Sequence, residues 1–281
     1  MKKFGIFTNK TKDCDRVITN RIICDLEKQG AEVFEENIPE DVDCILVLGG
    51  DGTVLKAARD YPDIPLVGVN LGTLGYLTEI EPVSLAGALK ALVEDKGYIE
   101  ERMMLQGEVI RGEYHKNLHQ ENAVNKEQEL GKVLSLNDIV ITRCGNLHIV
   151  NLEVAVNQRP LTTYKADGVI LATPTGSTGY SLSAGGPIVE PKAKLIMMTP
   201  ICSHDYSSRG IILSETDVVD VKIPLGHDGQ VQSLEVTFDG IEGLLLYTGD
   251  VVRIKKADKT MKLYKLSSES FLSTLQRKLS R

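Results

Sequence analysis

Along the first hundred residues, short continuous apolar runs alternate with stretches whose apolar positions recur every three or four residues. KFGIFTN (3–9) reads as a buried strand. CDRVITNRIICDLEKQ (14–29) reads as a helix with Val17, Ile18, Ile22 and Leu26 in one stripe, stopped by Gly30. AEVFEE (31–36), DCILVLGG (43–50) and PLVGVN (65–70) are further strands. A helix opens at Thr53, which is suited to cap it, and SLAGALKALVED (84–95) is another. Near-continuous apolar strands separated by helices predict a parallel sheet covered on both faces, a three-layer α/β domain. Ligands in such sheets sit beyond the carboxyl ends of the strands.

After about residue 100 the period changes to two. MLQGEVIRG (104–112), HIVNLEVAVNQRPLTTYKADGVILATP (148–174), VVDVKIPLG (218–226), LEVTFDG (234–240) and GDVVRIKKA (249–257) alternate, with Gly, Asp and Asn as punctuation. That predicts a β-rich, mostly antiparallel domain. The polar stretch 111–132 reads as an exposed hairpin tip or mobile loop. Near the end, Phe271, Leu272, Leu275 and Leu279 share one helical face, so this helix is expected to pack back on the body. The expected division is 1–100 for the α/β domain, 101–265 for the β-rich domain and 266–281 for the helix. The cleft between the two domains is the expected site.

Composition narrows the classes. The 281 residues carry 42% hydrophobic and 25% charged side chains and a formal net charge of −7, which argues against a dedicated nucleic-acid binder. Cys14, Cys24, Cys44, Cys144 and Cys202 form no C-x-x-C pair and read as reduced thiols of a cytoplasmic protein. No signal peptide or membrane span is evident, and no membrane partner is expected.

Two glycine-rich stretches carry candidate chemistry. In GGDGT (49–53), a buried strand ends in two glycines and runs into a helix start, whose unpaired N–H groups attract anions. The spacing is neither a Walker loop nor G-x-G-x-x-G. A bare carboxylate repels phosphate, so Asp51 suits a hydroxyl or a metal; the plain alternative is a turn in which it bonds backbone N–H groups. Lys56 lies about one helical turn on, placed either to meet a phosphate or to face solvent. The second stretch, KADGVILATPTGSTGYSLSAGGPIVEP (165–191), runs from strand through a proline turn to a short helix. Its small hydroxylated residues and Tyr180 suit a flat, polar ligand. Upstream, Asn137 and Asp138 open a strand, as a turn or as partners for ribose hydroxyls. His115 and His119 have helical zinc spacing but no third ligand nearby.

Over nearly its whole length the chain resembles the bacterial NAD kinases, which make NADP from NAD and ATP. The resemblance rests on GGDGT, GVNLGTLGYLTE (68–79), ND (137–138), ADGVILATPTGSTGYSLSAGGPIV (166–189), TPICSHDYSSRGIILSE (199–215) and FDG (238–240), in that order. It implies an α/β domain followed by a β-rich one, with NAD as substrate and Mg²⁺ or another divalent cation arriving with ATP. It also implies a homodimer or homotetramer. Asp51 would then be the base that engages the 2′-hydroxyl, Gly52 would admit the ligand, and Lys56 would stand near it. Tyr76 would pack on the adenine. Asn137 and Asp138 would hold hydroxyl or amide groups, and Lys165 and Asp167 would flank the acceptor. Thr175, Thr178, Gly179, Tyr180 and Ser183 would line the dinucleotide pocket. The chain departs from the family at Gly179, usually Ala, and at Ser203 and Gly210, commonly Pro, so His204 and Arg209 receive no role.

Two other readings share parts of this pattern. GGDGT also occurs in lipid kinases, but the polar TPTGSTGY turn and the lack of a basic amphipathic helix disfavour an apolar acceptor. A dinucleotide sensor without catalysis would not need Asp51.

Overall fold

A computed structural model describes residues 1–72, 75–114, 131–145, 148–204, 209–267 and 270–280. Most of the polar stretch 111–132, with His115 and His119, lies outside them. The chain divides into two compact units, Met1–Arg102 with Lys259–Arg281, and Met103–Asp258. Residues 259–265, expected with the β-rich domain, group with the first unit, as does the C-terminal helix.

The first unit opens with β1 (Lys3–Thr8), α1 (Val17–Glu27), β2 (Glu32–Phe34), β3 (Cys44–Gly49) and α2 (Asp51–Asp60). It continues with β4 (Leu66–Asn70), β5 (Thr78–Ile80) and α3 (Leu85–Val93). Strands β2, β1, β3 and β4 lie side by side, all parallel, and β5 adds to β4 in the same sense. Period-two alternation sorts the sides of β3. Cys44, Leu46 and Leu48 join Ile22 and Leu26 of α1 and Leu85, Leu89 and Leu92 of α3 in one core. Ile45 and Val47 face the other way, and α2 packs on β3 and β4 through Val54, Ala57 and Ala58, which are outside that core. This is the expected three-layer arrangement. Val17 is the exception in the α1 stripe and stays 64% exposed, because it stands at the helix's first position.

The chain then runs through β6 (Tyr98–Ile110), β7 (Val133–Ser135), β8 (Asp138–Arg143), β9 (Val150–Val156), β10 (Arg159–Ala166) and β11 (Gly168–Ala172). A 3-10 turn (Thr175–Thr178) and the short helix α4 (Tyr180–Ser183) follow. After them come β12 (Leu195–Ile201), β13 (Ile211–Ser214), β14 (Val219–Lys222), β15 (Ser233–Phe238), β16 (Ile241–Tyr247) and β17 (Val251–Lys265). In the second unit, β13-β12-β11-β8-β15-β16 is an antiparallel sheet. Strands β10, β9, β14 and the start of β17 form another antiparallel set. Side chains of both, among them Ile139, Ile141, Leu171, Leu152, Val221 and Val252, share one buried core. On the outer side of the first of these sheets, Val140, Ile170, Ala172 and Met197 are covered by Ala184 and Val189. The segment after the proline turn therefore lies flat on that face.

The last helix, α5 (Phe271–Leu279), is capped by Ser270, whose Oγ accepts from the N–H of Ser273 (3.2 Å). It packs back through Phe271, whose ring centroid is 5.8 Å from that of Tyr76. Leu272, expected in the packed stripe, is 63% exposed. No described helix is long and apolar enough to cross a membrane.

One local device shapes the loop after β1. Arg16, at the head of α1, has φ 55° and caps nothing with its side chain. Asp13 replaces it: its carboxylate accepts from Thr19 N (2.9 Å), Thr19 Oγ1 (2.6 Å) and Ile18 N (3.2 Å). Burial pushes the Asp13 pKa up, but these hydrogen bonds outweigh it and hold the carboxyl below its ordinary value. Its stabilisation is thus present above about pH 4 and lost as pH falls through the folded value. Asp13→Ala is expected to cost about 1–2 kcal/mol at pH 7 in urea unfolding. That difference from the wild type should close below about pH 4; an undiminished gap there would remove the cap from the account.

Candidate functional site

In the first unit, β3 delivers the chain to Gly50, extended at φ −118° and ψ −171°, and α2 begins at Asp51. Thr53, expected as the cap, instead lies buried within the first turn, its Oγ1 3.4 Å from Asn9 Nδ2. A Cβ on Gly49 would strike the Thr53 side chain, so glycine there is a packing requirement. The Asp51 carboxylate accepts two backbone hydrogen bonds, Oδ2 from Tyr76 (2.9 Å) and Oδ1 from Leu77 (3.0 Å). Gly75 permits that approach, since a Cβ there would collide with Asp51 Oδ1. Gly68 permits β4 to pass the same segment, since its Cβ would meet the Leu77 carbonyl.

Gly52 is different. Nothing lies within 4 Å of a Cβ built there, and its φ is not positive, so neither packing nor conformation calls for glycine. Gly50 meets only the Lys12 amine. Both line a cleft of about 1130 Å³ in the first unit. Asp51, Thr53 and Gly75 share its wall with Lys10, Lys12, Lys56 and Lys278. Lys56 is exposed, with Nζ 5.9 Å above the Phe7 ring. Tyr76 is half-buried; burial, then the Asp51 charge, pushes its hydroxyl pKa up. Lys12 and Lys278 carry no motif signal and were not legible as site residues.

In the second unit, Asp138 opens β8 opposite Ala172 at the end of β11. The backbone around it is fixed by Asp239, at φ 52° in the turn after β15. The Asp239 carboxylate accepts from the N–H groups of Leu136 (2.8 Å), Asn137 (2.7 Å) and Asp138 (3.1 Å). Asp138 is 6% exposed, and burial, then the neighbouring Asp239 charge, pushes its pKa up to about 7. FDG alone gave no hint of this clamp, because the bonds span about a hundred residues.

The proline turn is laid against the same pair. Thr173 N donates to the Asn137 carbonyl (2.8 Å), and Thr173 Oγ1 donates to the Leu136 carbonyl (2.6 Å). A Cβ on Gly176 would overlap the Asn137 carbonyl. A Cβ on Gly179 would stand 3.6 Å from Asn137 Nδ2, 3.7 Å from Asp138 Oδ2 and 3.3 Å from the Gly176 carbonyl. The family's usual alanine therefore nearly fits. Asn137, Asp138 and Gly179 thus come together, with Thr178 preceding Gly179 in the 3-10 turn. Thr175 is buried in the turn, while Tyr180 (46% exposed) and Ser183 stand at the surface of α4. Lys165 is exposed, its carbonyl accepting from His204 N (2.9 Å). Asp167 is ion-paired with Arg143, whose Nε is 2.9 Å from Oδ1. Arg143 has no motif signal; β8–β11 pairing brings it there.

Comparison with known proteins is consistent along the chain. The ATP-NAD kinase N-terminal domain profile matches residues 7–98, and the ATP-NAD kinase C-terminal domain profile matches residues 136–266. A NAD kinase of Lachnoclostridium phytofermentans is 42% identical over 99% of both chains. One of Agathobacter rectalis is 42% identical over the same share of each. Among solved structures, a yeast NADH kinase complexed with NADH has a TM-score of 0.79 at 23% identity, covering 100% of this chain and 88% of its own. An Archaeoglobus fulgidus NAD kinase in complex with ATP has a TM-score of 0.78 at 24% identity, covering 99% and 98%. The two structures speak for the fold, the profiles and relatives for descent: the chain belongs to the ATP-NAD kinase family.

Proposed function

We propose that this protein transfers the γ-phosphate of ATP to the 2′-hydroxyl of the adenosine ribose of NAD, yielding NADP, with Asp51 as general base. The observation that carries the reading is the way Asp51 is held at a glycine-floored cleft with lysines on its wall. Each carboxylate oxygen takes one backbone N–H and keeps lone-pair capacity for a further donor, such as a ribose hydroxyl. The two bonds fix the carboxylate's orientation, which is what a base in phosphoryl transfer needs. Gly52 leaves its backbone open to the ligand, and Lys56 and its neighbours offset the phosphate charge.

In the second unit, Asn137 and Asp138 would hold NAD hydroxyl or amide groups. Thr178, Gly179, Tyr180 and Ser183 would line the dinucleotide, with Thr175 supporting the turn from beneath. Lys165 would meet phosphate, and Asp167, already paired with Arg143, would offer its remaining lone pairs. Tyr76 would pack on the adenine. Among the described residues no three His, Cys, Asp or Glu converge as metal ligands. Mg²⁺ would arrive with the nucleotide, since it prefers phosphate and water oxygens to an all-protein cage, and would neutralise phosphate oxygens.

Asp51→Asn tests the base. The amide NH₂ must face one of two N–H donors, so a stability loss of about 1–3 kcal/mol is expected from the strut alone. The base role predicts more: NAD affinity within about threefold of wild type, but NADP formation down on the order of 10²-fold or more. NADP is read with an NADP-specific dehydrogenase. Near-normal turnover would dismiss Asp51 as the base, and absence of NADP from the wild type with NAD still bound would favour a sensor.

Asp138 supplies a pH signature. Its folded pKa, raised to about 7, means that the folded chain keeps a proton the unfolded chain has lost from about pH 4 upward. Stability of the ligand-free protein should therefore fall between about pH 4 and 7, and Asp138→Asn should flatten that slope. NAD affinity should tighten across pH 7 as the carboxylate ionises and accepts ribose hydroxyls. Parallel melting curves, and parallel NAD titrations, for the two proteins between pH 5 and 8 would count against both statements.

A further inference from the structure

Lys278 is the one cation at the Asp51 cleft that comes from the far end of the sequence. It sits in the last turn of α5, and its Nζ stands 3.6 Å above the ring centroid of Tyr76. The N–H of Tyr76 is itself bonded to Asp51 Oδ2 (2.9 Å). A chain of contacts therefore runs from α5 through Tyr76 to the candidate base, and Phe271 on the same helix packs on the same tyrosine. Lys278 is half-buried and makes no ion pair with any described residue. Its desolvation lowers its pKa, with Asp51 pulling the other way.

Three of the carboxylates at the cleft are engaged by other groups, while Glu36 at its rim is exposed. Glu35 takes the Arg16 guanidinium (2.7 and 2.8 Å), Asp13 caps α1, and Asp51 takes two N–H groups. Lys12 leans over Gly50 and Gly72, its Nζ within 3.2 Å of where their Cβ atoms would be. The Lys278 ammonium, partly desolvated and offset only by the field of Asp51, would be completed by a bound anion. A floor of glycine backbone with ammonium groups on its walls has the chemistry of a polyphosphate site.

We propose that α5 is part of the donor-binding machinery, with Lys278 bringing its ammonium beside Asp51 to contact the phosphate chain of the donor and Tyr76 serving as the pedestal that aims it. The proposal rests on the kinase reading above. It extends that reading to a residue outside every motif. On this view the cation over Tyr76 is a ligand contact and not merely a clasp that holds the last helix down.

The test uses the full-length protein and inorganic tripolyphosphate as probe, without NAD, followed by isothermal titration. Lys278→Met keeps the stem over Tyr76 but removes the charge, and Lys278→Arg keeps the charge. The expected result is about tenfold weaker tripolyphosphate binding in Lys278→Met, with a shallower salt dependence, and near-wild-type binding in Lys278→Arg. In turnover assays the KM for ATP should rise by a similar factor, with kcat changed less and NAD affinity unchanged. Equal tripolyphosphate affinity in wild type and Lys278→Met would overturn the proposal and leave Lys278 a clasp. So would tighter binding on deletion of residues 270–280, which would make α5 a cover over the cleft. Should the wild type form no NADP, the kinase reading fails, yet a Lys278-dependent tripolyphosphate affinity would still stand; the two failures are separately visible.

Discussion

The first unit is organised around a carboxylate that bolts two backbone segments together. Asp51 opens α2, and Tyr76 and Leu77 enter β5; their N–H groups end on the two carboxylate oxygens. Glycine at 49, 68 and 75 is what lets these segments meet, because a methyl group at any of the three would overlap a neighbour. Three glycines and one acid, spread over 27 positions of sequence, are therefore a single device. Its consequence is that Asp51 cannot rotate freely. The group a kinase would use as a base is fixed by the same bonds that close the turn, so strut and chemistry are compatible and not alternatives.

The second unit repeats the principle with different partners. Asp239 gathers three successive N–H groups at the entrance of β8, which holds Asn137 and Asp138 in place without using their side chains. The arrangement has an electrostatic cost. A carboxylate that grips the backbone of Asp138 also stands near the Asp138 carboxyl, and burial adds to the effect, so that group is driven toward neutrality. A free turn would have no such tension. The Asn–acid pair is thus presented by a neighbour that raises the energy of its charged form, a condition often met where a side chain awaits a polar ligand.

Much of this was legible in the sequence, and the exceptions share a cause. Continuous apolar runs such as ILVLG and GVILA gave β3 and β11 directly, and three-four spacing gave α1 and α3. The resemblance assigned the motifs at 137–138 and 173–179 to the same dinucleotide, and β8–β11 pairing places the two segments side by side. Thr53 misled because it resembles a cap, whereas the helix already begins at Asp51 under a glycine. Val17 and Leu272 fit their stripes by spacing but stand at first turns, where the neighbouring element does not reach. Asp13 as the cap of α1, Asp239 as a clamp, Arg143 as the partner of Asp167 and Lys278 above Tyr76 had no local signature. Two of them bridge about a hundred residues or more, and period and propensity carry no information at that range.

Glycine is the residue most often taken as the mark of a phosphate site, and this chain shows how the mark divides. Gly49, Gly68, Gly75 and Gly176 are required by their own protein: each has backbone or side-chain atoms where a Cβ would go. Gly52 has empty space there and an ordinary backbone, and Gly50 meets only a lysine amine. A motif written GGDGT therefore mixes one glycine that serves packing with two that serve no internal purpose. The protein could carry alanine at 52 without a clash, and helix propensity favours alanine there by about 1 kcal/mol. On the reading proposed above, glycine at that point, beside an oriented carboxylate and four lysines around one cleft, would let the ligand come closer to the backbone than a methyl group allows.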